Sequence, residues 1–234
     1  SKETGKEYMF ISRSDSTLRG HYPLETVILK EEYEKNTGKK IDGEILCPFF
    51  KEGGRYTIDD VHYVRYGDTL VPAAETEFAK DKTFGYTASD LKEYVEEKTG
   101  GAYKKESVTS ISLTDIRNLD YDKIEAQLMA VEDFNKVIVN AIDYVDIKIF
   151  CVALFRAMAK GKSFMFRTAA AIVKVMGGVP DQPLLTREQM VVKETDNGGI
   201  IVIGSHTDKT TRQMEELKAV SYTHLRAHET RSNL

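Results

Sequence analysis

The sequence contains little cysteine and no long uninterrupted apolar segment. Its two cysteines, Cys47 and Cys151, lie far apart and share no metal-ligand spacing with a histidine, so we expect two buried free thiols. A transmembrane helix needs about 20 consecutive apolar residues, and the longest apolar-rich segment, 147–158, is interrupted by Lys148 and Arg156. The first residues carry no secretory signal pattern. These features predict a cytoplasmic protein that does not insert into a membrane.

Strong charge of one sign is also absent. Lysine and arginine together number 33 against 37 acidic residues, which gives a formal net charge of -4. Binding of nucleic acid or of an anionic membrane needs a clustered basic surface, so neither is expected as the main partner. Hydrophobic residues make up 41% and charged residues 30% of the 234 residues. That composition is ordinary for one large or two small globular domains.

Two common nucleotide-binding motifs and one metal-binding motif are missing. No G-x-G-x-x-G segment occurs, which argues against a hydroxyacid dehydrogenase on a Rossmann fold. Residues 161–163 (GKS) resemble the end of a phosphate loop, but Arg156 occupies the position where that motif needs its first glycine. Asp115, Asp120 and Asp122 do not have the spacing of a calcium loop.

Short apolar runs alternate with amphipathic segments, which is typical of an α/β fold. Strands are predicted at residues 8–12, 43–48, 107–112, 136–141, 163–166 and 199–204. Helices are predicted at residues 23–36, 89–98, 121–131, 144–160, 168–175 and 209–219. Residues 49–87 show no clear period, and we expect a binding loop or a β-excursion there. The predicted fold is an open, mostly parallel sheet with flanking helices, truncated at the N-terminus. The first strand–helix unit of a second α/β domain is expected to follow it.

The densest group of candidate binding residues is SRSDSTLRG, residues 12–20, between the first predicted strand and helix. Ligands bind at such junctions in open α/β sheets, and a helix N-terminus favours an anion. Asp15 can accept hydrogen bonds from sugar hydroxyls, and Ser16 and Thr17 offer hydroxyl and backbone N–H groups. Arg19 can bind a carboxylate through two hydrogen bonds. The same residues could form a merely structural capped turn, and the residue types leave both interpretations open.

SDSTLRG followed by HYPLE resembles the signature of the four-carbon acid sugar kinases, which phosphorylate threonate-, erythronate- or 3-oxo-tetronate-type acids. Later segments resemble further parts of this family: CPFFKEGGRY (47–56), FRTAAAIVKVMGGVP (166–180) and GIIVIGSHTDKTTRQ (199–213). The resemblance covers residues 1–219. It implies a two-domain kinase that depends on ATP and Mg²⁺. Its N-terminal domain would hold the sugar acid, a small-molecule substrate, and its C-terminal domain the nucleotide.

The resemblance also implies roles for individual residues. The expected substrate ligands are Asp15, Ser16, Thr17, Arg19, Gly53, Gly54 and Arg55, of which the last three would close the sugar pocket. Further expected contacts with substrate or phosphate are Asn140, Asp143, Arg167 and Thr168, which lie at strand-to-helix junctions. Helix capping is the alternative role for Asp143. Nucleotide binding is expected of Gly204 and Ser205. His62 and Tyr63 are expected to pack, and neither a catalytic residue nor a metal ligand is identified.

Three regions are expected along the chain. Residues 1–195 would form the sugar-acid-binding domain and the interdomain connection, and 196–219 the beginning of the nucleotide-binding domain. Residues 220–230 (VSYTHLRAHET) back-translate into the adapter of a DNA-sequencing library, so 220–234 is expected to be an adapter-derived tail. The family's opening DD-x-T-G-A turn is also missing. We therefore expect an inactive fragment of a kinase, with a non-catalytic sugar-acid-binding module as the alternative. The stereoisomer of the substrate and homo-oligomer formation stay open.

Overall fold

The computed structural model describes residues 5–191, 201–205 and 207–219, and the chain divides into two compact units, residues 1–181 and 182–234. The division falls inside the predicted connection between the domains. The strands among the described residues all lie in the first unit: β1 (Ile11–Arg13), β2 (Gly43–Cys47), β3 (Arg55–Ile58), β4 (Val61–Tyr66), β5 (Thr69–Pro72), β6 (Thr109–Ile111), β7 (Asn135–Val139) and β8 (Phe164–Thr168).

Five of these strands form one sheet in the order β1-β8-β2-β7-β6, and all neighbours are parallel. The predicted open, mostly parallel sheet is therefore confirmed. Because all five strands are parallel, their carboxyl ends lie at one edge of the sheet. This edge is where ligands bind in open α/β sheets.

The helices of the first unit are α1 (Leu24–Thr37), α2 (Leu91–Lys98), α3 (Leu113–Arg117), α4 (Tyr121–Met129), α5 (Tyr144–Ala159) and α6 (Ala170–Met176). The short helix α3 was not predicted, because five residues carry too little periodicity. The prediction of Ser89 as the N-cap of α2 is wrong by one residue, and the helix begins at Leu91. The side chain of Asp90 accepts the N–H groups of Lys92 and Glu93 and caps the helix instead.

Both faces of the parallel sheet are covered, so every residue of β2 is buried. Ile45 and Cys47 face the core formed with α4 and α5. Leu46 faces the opposite side and belongs to the apolar cluster that contains Tyr94 and Val95 of α2. The two thiols are free and buried, as expected. Burial raises the pKa of Cys47 and that of Cys151 to about 12, so neither thiol is a ready nucleophile.

The irregular stretch 49–87 contains the predicted β-excursion. Strands β3, β4 and β5 form a small antiparallel sheet. Two short 3₁₀ turns follow, Ala73–Glu75 and Glu77–Lys80. Below, "the small sheet" means β3–β5.

The second unit contains α7 (Arg187–Met190) and α8 (Asp208–Ala219), which confirms the last predicted helix. The strand predicted at 199–204 is wrong for residues 201–204, which form no strand, while 199 and 200 lie outside the described residues. An apolar run becomes a strand only where another strand pairs with it, and the described part of this unit contains none. Residues 220–234 also lie outside the description. Among the described helices, none has the length and apolar character that crossing a bilayer requires.

Candidate functional site

The segment 14–20 leaves the carboxyl end of β1 and turns over the edge of the parallel sheet; it is called the acid turn below. The N–H of Ser14 donates to the carbonyl of Thr168 at 2.8 Å, which holds the start of the turn against β8. The N–H of Leu18 donates to the carbonyl of Asp15 at 3.2 Å and closes the turn. Leu18 has a φ of 69°, in the left-handed region that non-glycine residues rarely adopt.

Asp15 is held by its own turn. Its carboxylate accepts hydrogen bonds from the hydroxyl of Thr17 and from Nε of Arg19, the latter at 2.8 Å. Burial raises the pKa of Asp15, but these hydrogen bonds and the charge of Arg19 outweigh it and hold the pKa below its ordinary value. The carboxylate is therefore ionised at neutral pH. It remains 34% exposed and can still accept a hydrogen bond from a ligand.

Two arginines that are distant in sequence approach one aromatic ring. The guanidinium carbons of Arg19 and Arg55 lie 5.1 and 5.4 Å from the ring centroid of Phe78. Arg19 is neutralised by Asp15 and lies 3.8 Å from Asp81. Arg55 forms no ion pair within the described part of the chain, and its Nε is buried without a hydrogen-bond partner. Burial lowers the pKa of Arg55, but a guanidinium stays charged.

Gly53 and Gly54 build the hairpin that presents Arg55. A Cβ on Gly53 would lie 2.4 Å from the ring of Phe50, and Gly54 has a φ of 70°. Phe50 and Arg55 exchange two backbone hydrogen bonds, of 3.0 and 2.9 Å, across the hairpin. Both glycines are therefore required by the hairpin itself, and they fix where the guanidinium of Arg55 begins.

Asn140 lies in a buried polar network at the carboxyl end of β7. Its amide nitrogen donates to a carboxylate oxygen of Asp60 at 2.8 Å and to the carbonyl of Ile111 at 3.0 Å. Its amide oxygen accepts the N–H of Asp60 at 2.8 Å. Lys92 completes the network with an ion pair to Asp60 at 2.8 Å. Asn140 thus connects the β3–β4 turn to the parallel sheet, and a contact of Asn140 with substrate stays a prediction.

Asp143 takes the capping role that was its alternative. Its side chain accepts the N–H of Val145 in a capping box at the start of α5, and it forms an ion pair with Lys51. Lys51 belongs to the same hairpin as Arg55, so Asp143 holds the base of that hairpin. A direct contact of Asp143 with ligand also stays a prediction.

Arg167 and Thr168 lie beneath the acid turn at the end of β8, and both are buried. Nη2 of Arg167 donates to the carbonyl of Arg19 at 3.3 Å, and the guanidinium lies 4.8 Å from the ring centroid of Tyr22. Nη1 of Arg167 and the hydroxyl of Thr168 have no hydrogen-bond partner within the described residues. Arg167 supports the backbone of the turn, and the expected phosphate contact of either residue is untested.

Sequence reasoning missed several residues that surround the acid turn: Phe78, Asp81, Tyr86 and Tyr94. Phe78, Asp81 and Tyr86 lie in the segment without a clear period, where the abundance of aromatic residues was the only signal. His62, expected to pack, is indeed fully buried. Its ring also makes a hydrogen bond to the acid turn, which no pattern in the sequence indicated.

In the second unit, Gly204 and Ser205 precede α8. The hydroxyl of Ser205 lies 2.9 Å from that of Thr210 and 3.3 Å from that of Thr207. These hydroxyls satisfy one another, and nucleotide binding by Gly204 or Ser205 remains a prediction. Among the described residues, no three His, Cys, Asp or Glu side chains are arranged to hold a metal ion.

Comparison with known families assigns the domain. Residues 1–176 match the family described as the sugar-binding N-terminal domain. The chain belongs to this family. The resemblance of SDSTLRG and its neighbouring segments to the four-carbon acid sugar kinase family is thereby confirmed. A search of curated proteins found no match.

Two solved structures share the fold of this sugar-binding domain. Haemophilus influenzae protein HI1011, a DUF1537 protein, is 18% identical with a TM-score of 0.55, over 75% of this chain and 38% of its own. A DUF1537 protein of Bordetella bronchiseptica, a domain-swapped dimer with bound citrate, is 22% identical with a TM-score of 0.50, over 78% of this chain and 40% of its own. The chain therefore spans about two fifths of the length of these proteins.

Proposed function

We propose that this chain is the sugar-acid-binding part of a kinase that uses ATP and Mg²⁺ to phosphorylate a hydroxyl of a four-carbon sugar acid. The substrate would be of the threonate, erythronate or 3-oxo-tetronate type. The observation that carries the proposal is the meeting of Arg55 with the Asp15–Arg19 pair on the ring of Phe78. An anion site and a hydroxyl acceptor thus lie side by side in a domain of the sugar-binding family.

The ion pairing of Arg19 and Arg55 differs, which indicates different roles in ligand binding. Arg19 already has a carboxylate partner in Asp15, whereas Arg55 has none among the described residues. We therefore assign the carboxylate of the sugar acid to Arg55, whose planar guanidinium has N–H groups beyond the one that Nη1 donates to the carbonyl of Gly53. The ionised carboxylate of Asp15 is a pure acceptor and would take a hydroxyl of the substrate. Thr17 and Arg19 hold Asp15 in place for this contact.

The ligand of one relative agrees with this chemistry. The Bordetella protein was solved with citrate, which is itself a hydroxy acid. The same relative is a domain-swapped dimer, and we propose that a homo-oligomer be tested for this chain by light scattering.

The described residues do not fit Mg²⁺ by themselves, because no group of three acidic, His or Cys side chains converges. Phosphoryl transfer requires metal, nucleotide and acceptor to be positioned together. We propose that the fragment binds the sugar acid and does not turn over ATP.

The test is titration calorimetry with threonate and erythronate, using threitol as the control that lacks the carboxylate. Binding of a tetronate but not of threitol is expected, and ATP consumption measured in the same samples should stay at the background rate. A folded chain that binds neither tetronate would overturn the proposed function. Tetronate-dependent ATP consumption would refute the inactivity of the fragment.

The alternative, a non-catalytic sugar-acid-binding module, predicts the same binding. The two proposals can be distinguished by expressing a chain whose reading frame is extended beyond residue 219 and assaying that chain with ATP. Tetronate-dependent turnover by the extended product favours the kinase, and binding without turnover favours the module.

A further inference from the structure

Three successive carbonyl groups of the acid turn each accept a hydrogen bond from a buried side chain outside the turn. The donors come from β4, from the segment before α2, and from α2 itself. The three bonds are His62 Nε2 to Ser16, Tyr86 hydroxyl to Thr17, and Tyr94 hydroxyl to Leu18, each 2.8 Å long. These three side chains are called the carbonyl clamp below.

The clamp acts on the strained part of the turn. Leu18, the last residue whose carbonyl is held, has its φ of 69° in the left-handed region. A non-glycine residue in this region is unfavourable and persists only where its surroundings enforce it. The side chain of Leu18 is buried in the same cluster as Tyr86 and Tyr94. The conformation that places Asp15 and Arg19 on one side of the turn is thus imposed from outside.

His62 is the clamp member whose donor depends on its protonation state. The carbonyl of Ser16 can only accept, so Nε2 carries the hydrogen. Nδ1 then accepts from the hydroxyl of Thr57, 3.0 Å away. Burial lowers the pKa of His62 to about 4, and the neighbouring charge of Arg55 acts in the same direction while Asp15 opposes it. The ring is therefore neutral at pH 7, with one tautomer selected by Thr57 and Ser16.

We propose that His62 is a positioning residue of the sugar-acid site, which acts with Tyr86 and Tyr94 by fixing the conformation of the acid turn. The inference rests on the proposed function, since the turn matters for binding only if Asp15 and Arg19 contact the substrate. None of the three side chains needs to touch the ligand. Their effect passes through the backbone carbonyl groups of residues 16–18.

Three variants of the full chain test the inference. His62→Leu removes the donor and keeps much of the side-chain volume. His62→Gln restores an N–H donor near the position of Nε2. The matched control is Tyr63→Phe, because Tyr63 follows His62 on β4 and points to the opposite face of the small sheet. Hydrogen exchange of the peptide covering residues 14–20 reports the turn without any ligand, and calorimetry with the best-bound tetronate reports the site.

Faster exchange of the turn is expected in His62→Leu, with near wild-type exchange in His62→Gln and Tyr63→Phe. The Kd of the tetronate should rise at least about fivefold in His62→Leu, the effect of losing one hydrogen bond, and recover in His62→Gln. Unchanged exchange of the turn in a folded His62→Leu chain would overturn the inference. If that variant unfolds, Tyr94→Phe, which removes a clamp hydroxyl and keeps the ring, is measured in its place. A wild-type chain that binds no tetronate would overturn the proposed function, while the exchange data would still decide whether His62 fixes the turn.

Discussion

Thr57 and Ala141 exchange two backbone hydrogen bonds, of 3.1 and 3.0 Å, which join the small sheet to the carboxyl end of β7. Thr57 is the second residue after Arg55 on β3, and its hydroxyl also bonds to His62. This junction therefore places both the guanidinium of Arg55, whose Nη1 donates to the carbonyl of Gly53, and the clamp over the edge of the parallel sheet. The candidate site therefore lies where the small sheet is attached to the carboxyl edge of the parallel sheet.

Replacing Arg55 should remove the main anion contact. In Arg55→Met, the affinity for a tetronate is expected to fall about ten- to a hundredfold, the weight of a charge-assisted hydrogen bond. Arg65→Met is the matched control, because Arg65 is exposed on the neighbouring strand and faces solvent. Calorimetry measures both variants. Equal affinities in the two would contradict the assignment of the carboxylate to Arg55.

Replacing Asn140 tests whether its role is structural or ligand binding. Asn140→Ala leaves the buried N–H of Asp60 without its acceptor and removes one hydrogen bond each from the carboxylate of Asp60 and the carbonyl of Ile111, so we expect a loss of about 1–3 kcal/mol in the free energy of unfolding. Asn118→Ala, at the exposed end of α3, is the control and should change little. Chemical denaturation measures both. A variant of unchanged stability that binds tetronate much more weakly would show that Asn140 contacts the ligand.

A fully buried ion pair joins the neighbouring strands β2 and β7 of the parallel sheet. Nζ of Lys136 lies 2.8 Å from a carboxylate oxygen of Glu44, and both side chains are completely buried. Burial lowers the pKa of Lys136, and the attraction of Glu44 opposes the shift. Lys136→Met leaves the buried carboxylate of Glu44 without a partner and should lower the free energy of unfolding by about 3–5 kcal/mol.

The double variant Glu44→Leu/Lys136→Met should recover most of that loss, because no unpaired charge is left behind. Lys123→Met is the exposed comparison, since Lys123 pairs with Asp115 but is 55% exposed. It should cost less than about 1 kcal/mol. A single variant at Lys136 that unfolds at the wild-type denaturant midpoint would refute this account.

Stability should depend on pH through His62. Its pKa is about 4 in the folded chain against an ordinary value of 6.5, so the neutral ring contributes stability that is complete above pH 6.5. As pH falls from about 6.5 towards 4, the unfolded chain gains a proton that the folded chain does not, and stability declines. Relative to His62→Gln, the wild-type chain should lose about 2 kcal/mol between about pH 7 and pH 5.

The control for this prediction is His21→Gln, since His21 is exposed. Its stability should follow the wild-type curve over the same pH range. Parallel pH curves for the wild-type and His62→Gln chains would show that His62 is not held neutral by burial.

Much of the fold followed from local patterns. The apolar runs that became β2, β7 and β8 have the composition of strands buried on both faces, and α5 carries the polar cap and periodicity of a core helix. The motif at residues 12–20 predicted a turn at a strand-to-helix junction, where the structure has it, and binding of a ligand by this turn stays a prediction. Local signals failed where pairing decides: residues 201–204 are apolar but have no partner strand in the described part of the chain.

The sequence by itself determined the family and the α/β architecture, because signatures and hydrophobic periodicity are properties of neighbouring residues. Only the tertiary structure decided that Arg55 and Arg19 meet on Phe78 and that Asn140 serves a buried network. It likewise decided which side chains hold the acid turn. These arrangements join residues 23 to 80 positions apart, and such contacts depend on strand pairing and on how the small sheet seats upon the parallel one. No local pattern predicts the position of the small sheet on the parallel sheet, because that position results from the packing of many strands and helices together.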